Sequence, residues 1–306
     1  MSLLALLKRP GPNGFGYGST ASDVVAGVDL SGKTFLVTGI NSGLGLETVR
    51  ALAARGGYVI GAARTAAKAE QALASVSAKG TGVACDLADP PSVREAVKAV
   101  RAVGRPLDGI VCNAGIMALP KLQQRHGYEL QFFTNHVGHF MLVTGLLDVL
   151  TPDARVVVTS SDAHRQAPRG GVQLDNLSGE KSYGAWSAYG QSKIANILFA
   201  RQLARRFAGS KRTANALHPG VIATNLTRHM SPVLRGVWAG ISPLFLKTPA
   251  QGAATQTFLA ASPLAAGVTG EYFSDCNPAR ARREAYDDEL AEKLWRKTEE
   301  IVAALP

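Results

Sequence analysis

Short apolar runs alternate with longer stretches of helical spacing along most of the chain. TFLVTG (34–39), GYVIGAA (57–63), TGVACDL (81–87), LDGIVCNAG (107–115), ARVVVTSS (154–161), TANALHPG (213–220) and GEYF (270–273) read as β-strands. Between them, LGLETVRALAARG, SVREAVKAVRAVG, NHVGHFMLVTGLLDVL and SKIANILFARQLARRF repeat apolar residues every three to four positions, the period of an amphipathic helix. A strand as continuously apolar as RVVVTS belongs in a sheet covered on both faces. The alternation predicts a single-domain α/β fold with a doubly wound, parallel sheet. About seven strands in the order 3-2-1-4-5-6-7 are expected, with ligands bound beyond their carboxyl ends. Residues 1–30 read as an N-terminal extension, 31–276 as the catalytic domain and 277–306 as a helical tail.

Composition narrows the class. A chain of 306 residues with 46% hydrophobic and 18% charged residues can bury a substantial core. The net charge of +10 invites a nucleic-acid reading. Against it, the basic residues stand in ones and twos (ARRF, SKRT, RARR), with no run of five or six. A basic surface that attracts a phosphate-bearing small molecule fits better, and no nucleic-acid partner is expected. Cys85, Cys112 and Cys276 form no CxxC pair and read as buried free thiols in a reducing compartment. No apolar run is long enough to span a membrane. MSLLALLKRP lacks the basic lead and the cleavage site of a signal peptide. A short amphipathic helix there, making weak peripheral membrane contact, stays open, as does a homo-oligomer. The expected location is cytoplasmic.

The carboxyl ends of the first four strands carry a nucleotide pattern. TGINSGLG (38–45) follows the first strand and opens a helix, with Gly39, Gly43 and Gly45 spaced Gly-x3-Gly-x-Gly. Glycine permits the tight turn and lets backbone approach a pyrophosphate at a helix N-terminus, where free N–H groups favour anions. Asn41, Ser42 and Leu44 share that contact. At the end of strand 2, an acidic residue would bond a ribose 2′-OH and favour NAD. Ala63 stands there instead, followed by Arg64, whose guanidinium suits a 2′-phosphate. NADP(H) is therefore favoured, with NAD(H) as the alternative. Asp86 and Leu87 end strand 3 and face the adenine. Asn113, Ala114 and Gly115 end strand 4 and let backbone pass close to the cofactor.

The chemistry lies further along. Asn135 interrupts an apolar helix, where a buried amide is unfavourable without a purpose. His136 and His139 beside it have no matching carboxylate or cysteine cluster, so no metal site is expected. Ser160 and Ser161 end strand 5, where a hydroxyl can bond a substrate oxygen; no GxSxG elbow supports a serine nucleophile. Tyr189 and Lys193 are one helical turn apart, which suits either a surface pair or a tuned phenol. Lowering a tyrosine pKa from about 10 to about 7 requires roughly 4 kcal/mol. One ammonium at about 5 Å, in an effective dielectric near 20, supplies about 3 kcal/mol. Tyr183, four residues before Ser187, has no such cation.

TGINSGLG, CNAG, the Asn135/Ser161 pair and YGQSK, in that order and spacing, resemble the short-chain dehydrogenase/reductase superfamily and its Rossmann-type fold. The interval of 28 residues from Ser161 to Tyr189, with the insertion HRQAPRGGVQLDNLSGEKSYGAWS, is similar to the branch of retinol dehydrogenases and WW-domain-containing oxidoreductases. The resemblance implies Tyr189 as acid/base, Lys193 lowering its pKa and holding the nicotinamide ribose, and Ser161 bonding the substrate oxygen. It further implies Asn135 in a water–lysine proton relay. HPGVIAT (218–224) would cap the nicotinamide through Pro219, Gly220, Val221 and Thr224. Cys112 stands where the family commonly has asparagine. A substrate lid is expected over 225–250; its Met230, Val233, Leu234, Trp238, Ile241 and Phe245 suit an apolar small-molecule alcohol or carbonyl, or packing within the lid itself. The rival reading is a catalytically silent dinucleotide-binding sensor or scaffold.

Overall fold

The computed structural model describes residues 8–222 and 246–306. Eight strands form the main sheet: β1 (Thr34–Thr38), β2 (Tyr58–Ala63), β3 (Gly80–Ala84), β4 (Leu107–Cys112), β5 (Leu150–Thr159), β6 (Thr213–His218), β7 (Tyr272–Ser274) and β8 (Asn277–Pro278). Their spatial order is β8-β7-β6-β5-β4-β1-β2-β3. Every pairing is parallel except β7 with β8. The doubly wound sheet predicted from the alternation is thus present, with one strand more than the seven read from sequence.

The alternation within each strand explains why the runs are continuously apolar. Leu36, Ile60, Ile110, Val156 and Val158 point into one core; Phe35, Val37, Val59, Val111 and Val157 point into the other. Both faces are dry, so neither parity of side chain is polar. One core is closed by α3 (Pro90–Ala102), α4 (residues 130–144), α5 (Ala185–Arg206) and α8 (Asp288–Ala304). The other is closed by α1 (Gly43–Ala53), α2 (Ala66–Ser75), the short α6 (Pro249–Gly252) and α7 (Ala254–Ala261). Helix starts follow local chemistry. Asp89 accepts from Ser92 N ahead of Pro90 in α3, and Asp287 accepts from Leu290 N at the start of α8.

Three features depart from the sequence expectation. The first is α4, which is α-helical over Leu130–Phe132 and Gly138–Thr144 but π-helical over Phe133–Val137, with Asn135 at its centre. It begins five residues before the NHVGHF segment. The second is the end of that segment: LDV forms a 3-10 turn, and β5 already starts at Leu150. The third is β8, reached through Asp275 and Cys276, whose φ angles are 52° and 62°. Two left-handed residues in succession match the twist of a tight hairpin. Asp275 suits such a turn, but Cys276 stands where glycine is usual, so the pattern announces it only weakly.

The tail helix completes a core rather than trailing from it. Trp295 meets the ring of Phe140 edge-on at 4.8 Å and stacks on Phe199 at 5.7 Å. His136 Nε2 lies 3.0 Å from Thr298 Oγ1. At the other edge, Asn13 Nδ2 donates to Cys276 O at 2.6 Å, and Phe15 packs edge-on against Phe258 at 5.9 Å. Among the described residues no helix is long and apolar enough to cross a membrane.

Candidate active site

Two cavities open along the carboxyl ends of the strands. The first, about 560 Å³, is lined by the loop after β1, by Ala63 and Arg64 after β2, by Asp86 and Leu87 after β3, and by Asn113–Gly115 after β4. The second, about 510 Å³, is lined by Ser161, Tyr189, Lys193, Pro219, Gly220 and Val221 among others. Leu44, Asn113, Gly115 and Ile116 line both, which joins the two into one trough.

The first half is built mainly from backbone. Gly39 and Gly43 have φ angles of 71° and 59°, conformations that side chains rarely tolerate. A Cβ at Gly43 would meet nothing within 4 Å, leaving the helix N-terminus open to a ligand. A Cβ at Gly45 would lie 2.3 Å from Gly39 O, so the loop folds back only because that atom is missing. Ser42 is the N-cap of α1. These features form a cradle that fits a pyrophosphate. Asn113 lines the cavity, yet its side chain works on the loop: Nδ2 donates to Thr38 O at 2.9 Å and to Gly39 O at 3.4 Å. Its Oδ1 accepts from Gln256 Nε2 at 3.1 Å, and the same Nε2 reaches Thr48 Oγ1 at 2.6 Å. Gln256 was not read from sequence, although an amide buried within the apolar ATQTFLAA is a usable signal. Arg64 is exposed at the rim, with no acidic residue at Ala63. Asp86 Oδ1 accepts from Ala88 N at 3.0 Å, and Leu87 is buried beneath it.

The second half is built from buried side chains on three elements. Tyr189 and Lys193 lie on successive turns of α5, with Lys193 Nζ 5.6 Å from the phenol ring centre. Lys193 Nζ donates to Thr159 O at 3.0 Å, and Asn196 Nδ2 donates to the same oxygen at 3.0 Å. Ser161 faces the same cavity as the Tyr189 phenol, and its hydroxyl accepts from Ala163 N at 3.2 Å. Ser160, by contrast, is fully buried and donates to Lys193 O at 2.7 Å, which separates the two serines by role. Asn135 Oδ1 accepts from Ile116 N at 2.8 Å, while its Nδ2 donates to Ile116 O at 2.9 Å and to Ser192 Oγ at 3.0 Å. Its amide is therefore fully used by protein. Ile116 acts through backbone and leaves no trace in its side chain for sequence reasoning to find. A Cβ at Gly115 would meet Asn135 Oδ1 at 2.9 Å and Lys193 Nζ at 3.6 Å, which sets these three groups side by side. Asp162 N donates to His218 Nδ1 at 3.1 Å, tying the loop after β5 to the one after β6.

Electrostatics differ from the sequence expectation in one respect. Burial pushes Tyr189 up to about 12, opposed by the Ser161 hydroxyl, and burial pulls Lys193 down to about 8. The ammonium stands close to the distance assumed from helical spacing. Desolvation nevertheless sets the direction of the shift, because a buried phenolate loses its hydration. Thr224 and residues 225–245 of the expected lid lie outside the described residues.

A glycine-built cradle and a Ser–Tyr–Lys group at the two ends of one trough define an NAD(P)-dependent oxidoreductase acting on CH–OH and C=O groups. The chain belongs to the short chain dehydrogenase family, whose model matches residues 33–233. Retinol dehydrogenase 14 of Homo sapiens is 39% identical over 90% of this chain and 88% of its own length. The WW domain-containing oxidoreductase of Homo sapiens is 38% identical over 93% of this chain and 71% of its own length. These two belong to the branch that the insertion before Tyr189 resembles. A solved structure of an uncharacterised Mycobacterium paratuberculosis protein, 33% identical, covers 94% of this chain and 98% of its own, with a TM-score of 0.75.

Proposed function

We propose that this protein transfers hydride between NADP(H) and an alcohol or carbonyl carried by an apolar small molecule. The observation that carries the reading is the meeting of Ser161, Tyr189 and Lys193, backed by Asn135, at one end of a trough whose other end bears Arg64 and no acid at the end of β2. When bound, the nicotinamide supplies or accepts the hydride. The proton falls to the protein. In reduction Tyr189 Oη gives its proton to the substrate oxygen, and in oxidation it takes one. The Ser161 hydroxyl bonds the same oxygen and orients it. Lys193 stabilises the phenolate that reduction leaves behind and reaches toward the nicotinamide ribose. Asn135, clamped to Ile116 and Ser192, holds the wall beside Lys193 and supports its proton relay. Arg64 takes the 2′-phosphate, and Pro219, Gly220 and Val221 border the nicotinamide end.

Support for an apolar substrate comes from the rim. Met117, Trp186 and Val221 are 44%, 45% and 51% exposed, and all three line the second cavity. Exposed apolar side chains lining one concave site suit an apolar ligand. The thiols suit a reducing, cytoplasmic setting: burial pushes Cys85 up to about 12 and Cys276 up to about 11, which leaves them unreactive. The test is to titrate NADPH and NADH separately and then assay a panel of apolar ketones and aldehydes. NADPH should bind at least about tenfold more tightly, the worth of one charge-assisted phosphate contact. Tighter NADH binding, or no turnover of any carbonyl, contradicts the reading.

A further inference from the structure

Two histidines outside the reacting group have matching environments. His139 and His164 are both almost fully buried, at 1% and 0% exposure. His139 Nδ1 lies 3.0 Å from the main-chain oxygen of Asn135, and His164 Nδ1 lies 2.7 Å from that of Ser161. A carbonyl oxygen only accepts, so both Nδ1 atoms carry the proton. The opposite nitrogens face donors. Arg282 N donates to His164 Nε2 at 2.9 Å. Thr38 Oγ1 lies 2.9 Å from His139 Nε2 and already accepts from Asn113 N and Ala114 N at 2.9 and 3.0 Å. Its own proton therefore goes to His139, since the other acceptor in reach, Val111 O, is at 3.4 Å. Each ring is thus a neutral bridge with a single permitted tautomer.

The ends of the bridges explain what they do. The His139 bridge joins the π turn carrying Asn135 to Thr38, the residue that gathers the loop after β4 against the end of β1. The His164 bridge joins the 3-10 turn after Ser161 to the segment just before α8. We propose that His139 and His164 are positioning residues: each donates from Nδ1 to the main chain of a site residue, Asn135 and Ser161 respectively. By doing so they fix the two walls between which Tyr189 works. Neither touches the reacting atoms, and among the described residues neither joins a group of three or more His, Cys, Asp or Glu that could hold a metal. The catalytic part of the inference rests on the function proposed above.

The test uses the full chain and two readouts. Imidazole ¹⁵N NMR of the wild type at pH 6–8 should show both residues as neutral Nδ1–H tautomers, an outcome independent of any substrate. Protonated Nε2 or a charged ring at either site overturns the proposal. Kinetics are then measured on His139→Phe and His164→Phe, with the corresponding Asn and Gln variants. Asn keeps a donor near the Nδ1 position and Gln does not. The Phe and Gln variants should lose between about tenfold and a hundredfold in kcat with little change in substrate KM, the scale of a small misplacement of a reacting group. Asn should restore most of the rate. Folded Phe variants with kcat within twofold of wild type overturn the proposal, as does rescue by Gln in place of Asn. Tyr189→Phe, run alongside, reports on the functional reading alone.

Discussion

The nucleotide end and the chemical end of the trough are made from different materials. At the nucleotide end the surface is backbone, three glycines and a helix N-terminus, and the polar side chains there mainly brace loops: Asn113 holds Thr38 and Gly39, and Gln256 holds Asn113. At the chemical end the working groups are side chains taken out of water, and burial shifts Tyr189 up and Lys193 down. On the proposed function, one end would select by shape and by the exposed Arg64, and the other would prepare proton transfer through desolvation and charge. Mutations should therefore act on affinity at the first end and on rate at the second.

The largest effect is expected at the chemical end. Lys193→Met removes the ammonium, keeps the stem, and should lower kcat by about 10³-fold, within the range for acid–base catalysis. Loss of NADPH affinity without loss of kcat would erase the contrast between the ends. Next is acid stability. His136 and His139 are buried and His218 is half-buried, and desolvation lowers them to about 3, 4 and 4. Between those values and the ordinary 6.5, the unfolded chain binds protons that the native chain refuses. The histidine contribution to stability should be level above about pH 6.5 and fall on acidification toward pH 4, by up to about 1.4 kcal/mol per pH unit for each histidine. Urea midpoints at pH 7.5, 5.5 and 4.5 check this; an unchanged midpoint at pH 4.5 contradicts it.

Smaller effects belong to the nucleotide end. Gly45→Ala places a methyl against Gly39 O, where an added Cβ sits 2.3 Å away. It should weaken NADPH by roughly 2 kcal/mol, about thirtyfold, with kcat at saturation nearly unchanged. Isothermal titration separates the two, and a wild-type dissociation constant would show that the loop does not hold the cofactor. Arg64→Ala should cost about 1.4 kcal/mol in NADPH binding and leave NADH untouched. Equal weakening of both would assign Arg64 to the surface instead.

The same contrast decides what could be read from sequence. Strand order and the glycine loop are legible because continuous apolar runs and φ-permissive residues have strong periodic or positional marks. Tyr189 and Lys193 are legible because an i,i+4 spacing fixes their proximity once a helix is assumed. Burial is not local, and so the direction in which Tyr189 shifts could not be read. The π turn around Asn135, the grip of the Ile116 backbone and the His139–Thr38 bridge depend on elements distant in sequence. The β7–β8 hairpin was missed because Cys276 takes a left-handed conformation where glycine is usual after an aspartate. Thr224 and the apolar positions from Met230 to Phe245 fall outside the described residues, so the rim of Met117, Trp186 and Val221 carries the substrate argument.

The central claim is that Tyr189 moves the proton, with Ser161 and Lys193 preparing that step and the nucleotide end only binding. Single-turnover NADPH oxidation by wild type and Tyr189→Phe, each saturated with cofactor and with the best carbonyl of the panel, tests it directly. The account predicts that the variant binds NADPH as the wild type does and reacts at least about 10²-fold more slowly, the lower bound for losing a general acid. Equal rates with equal binding would contradict it.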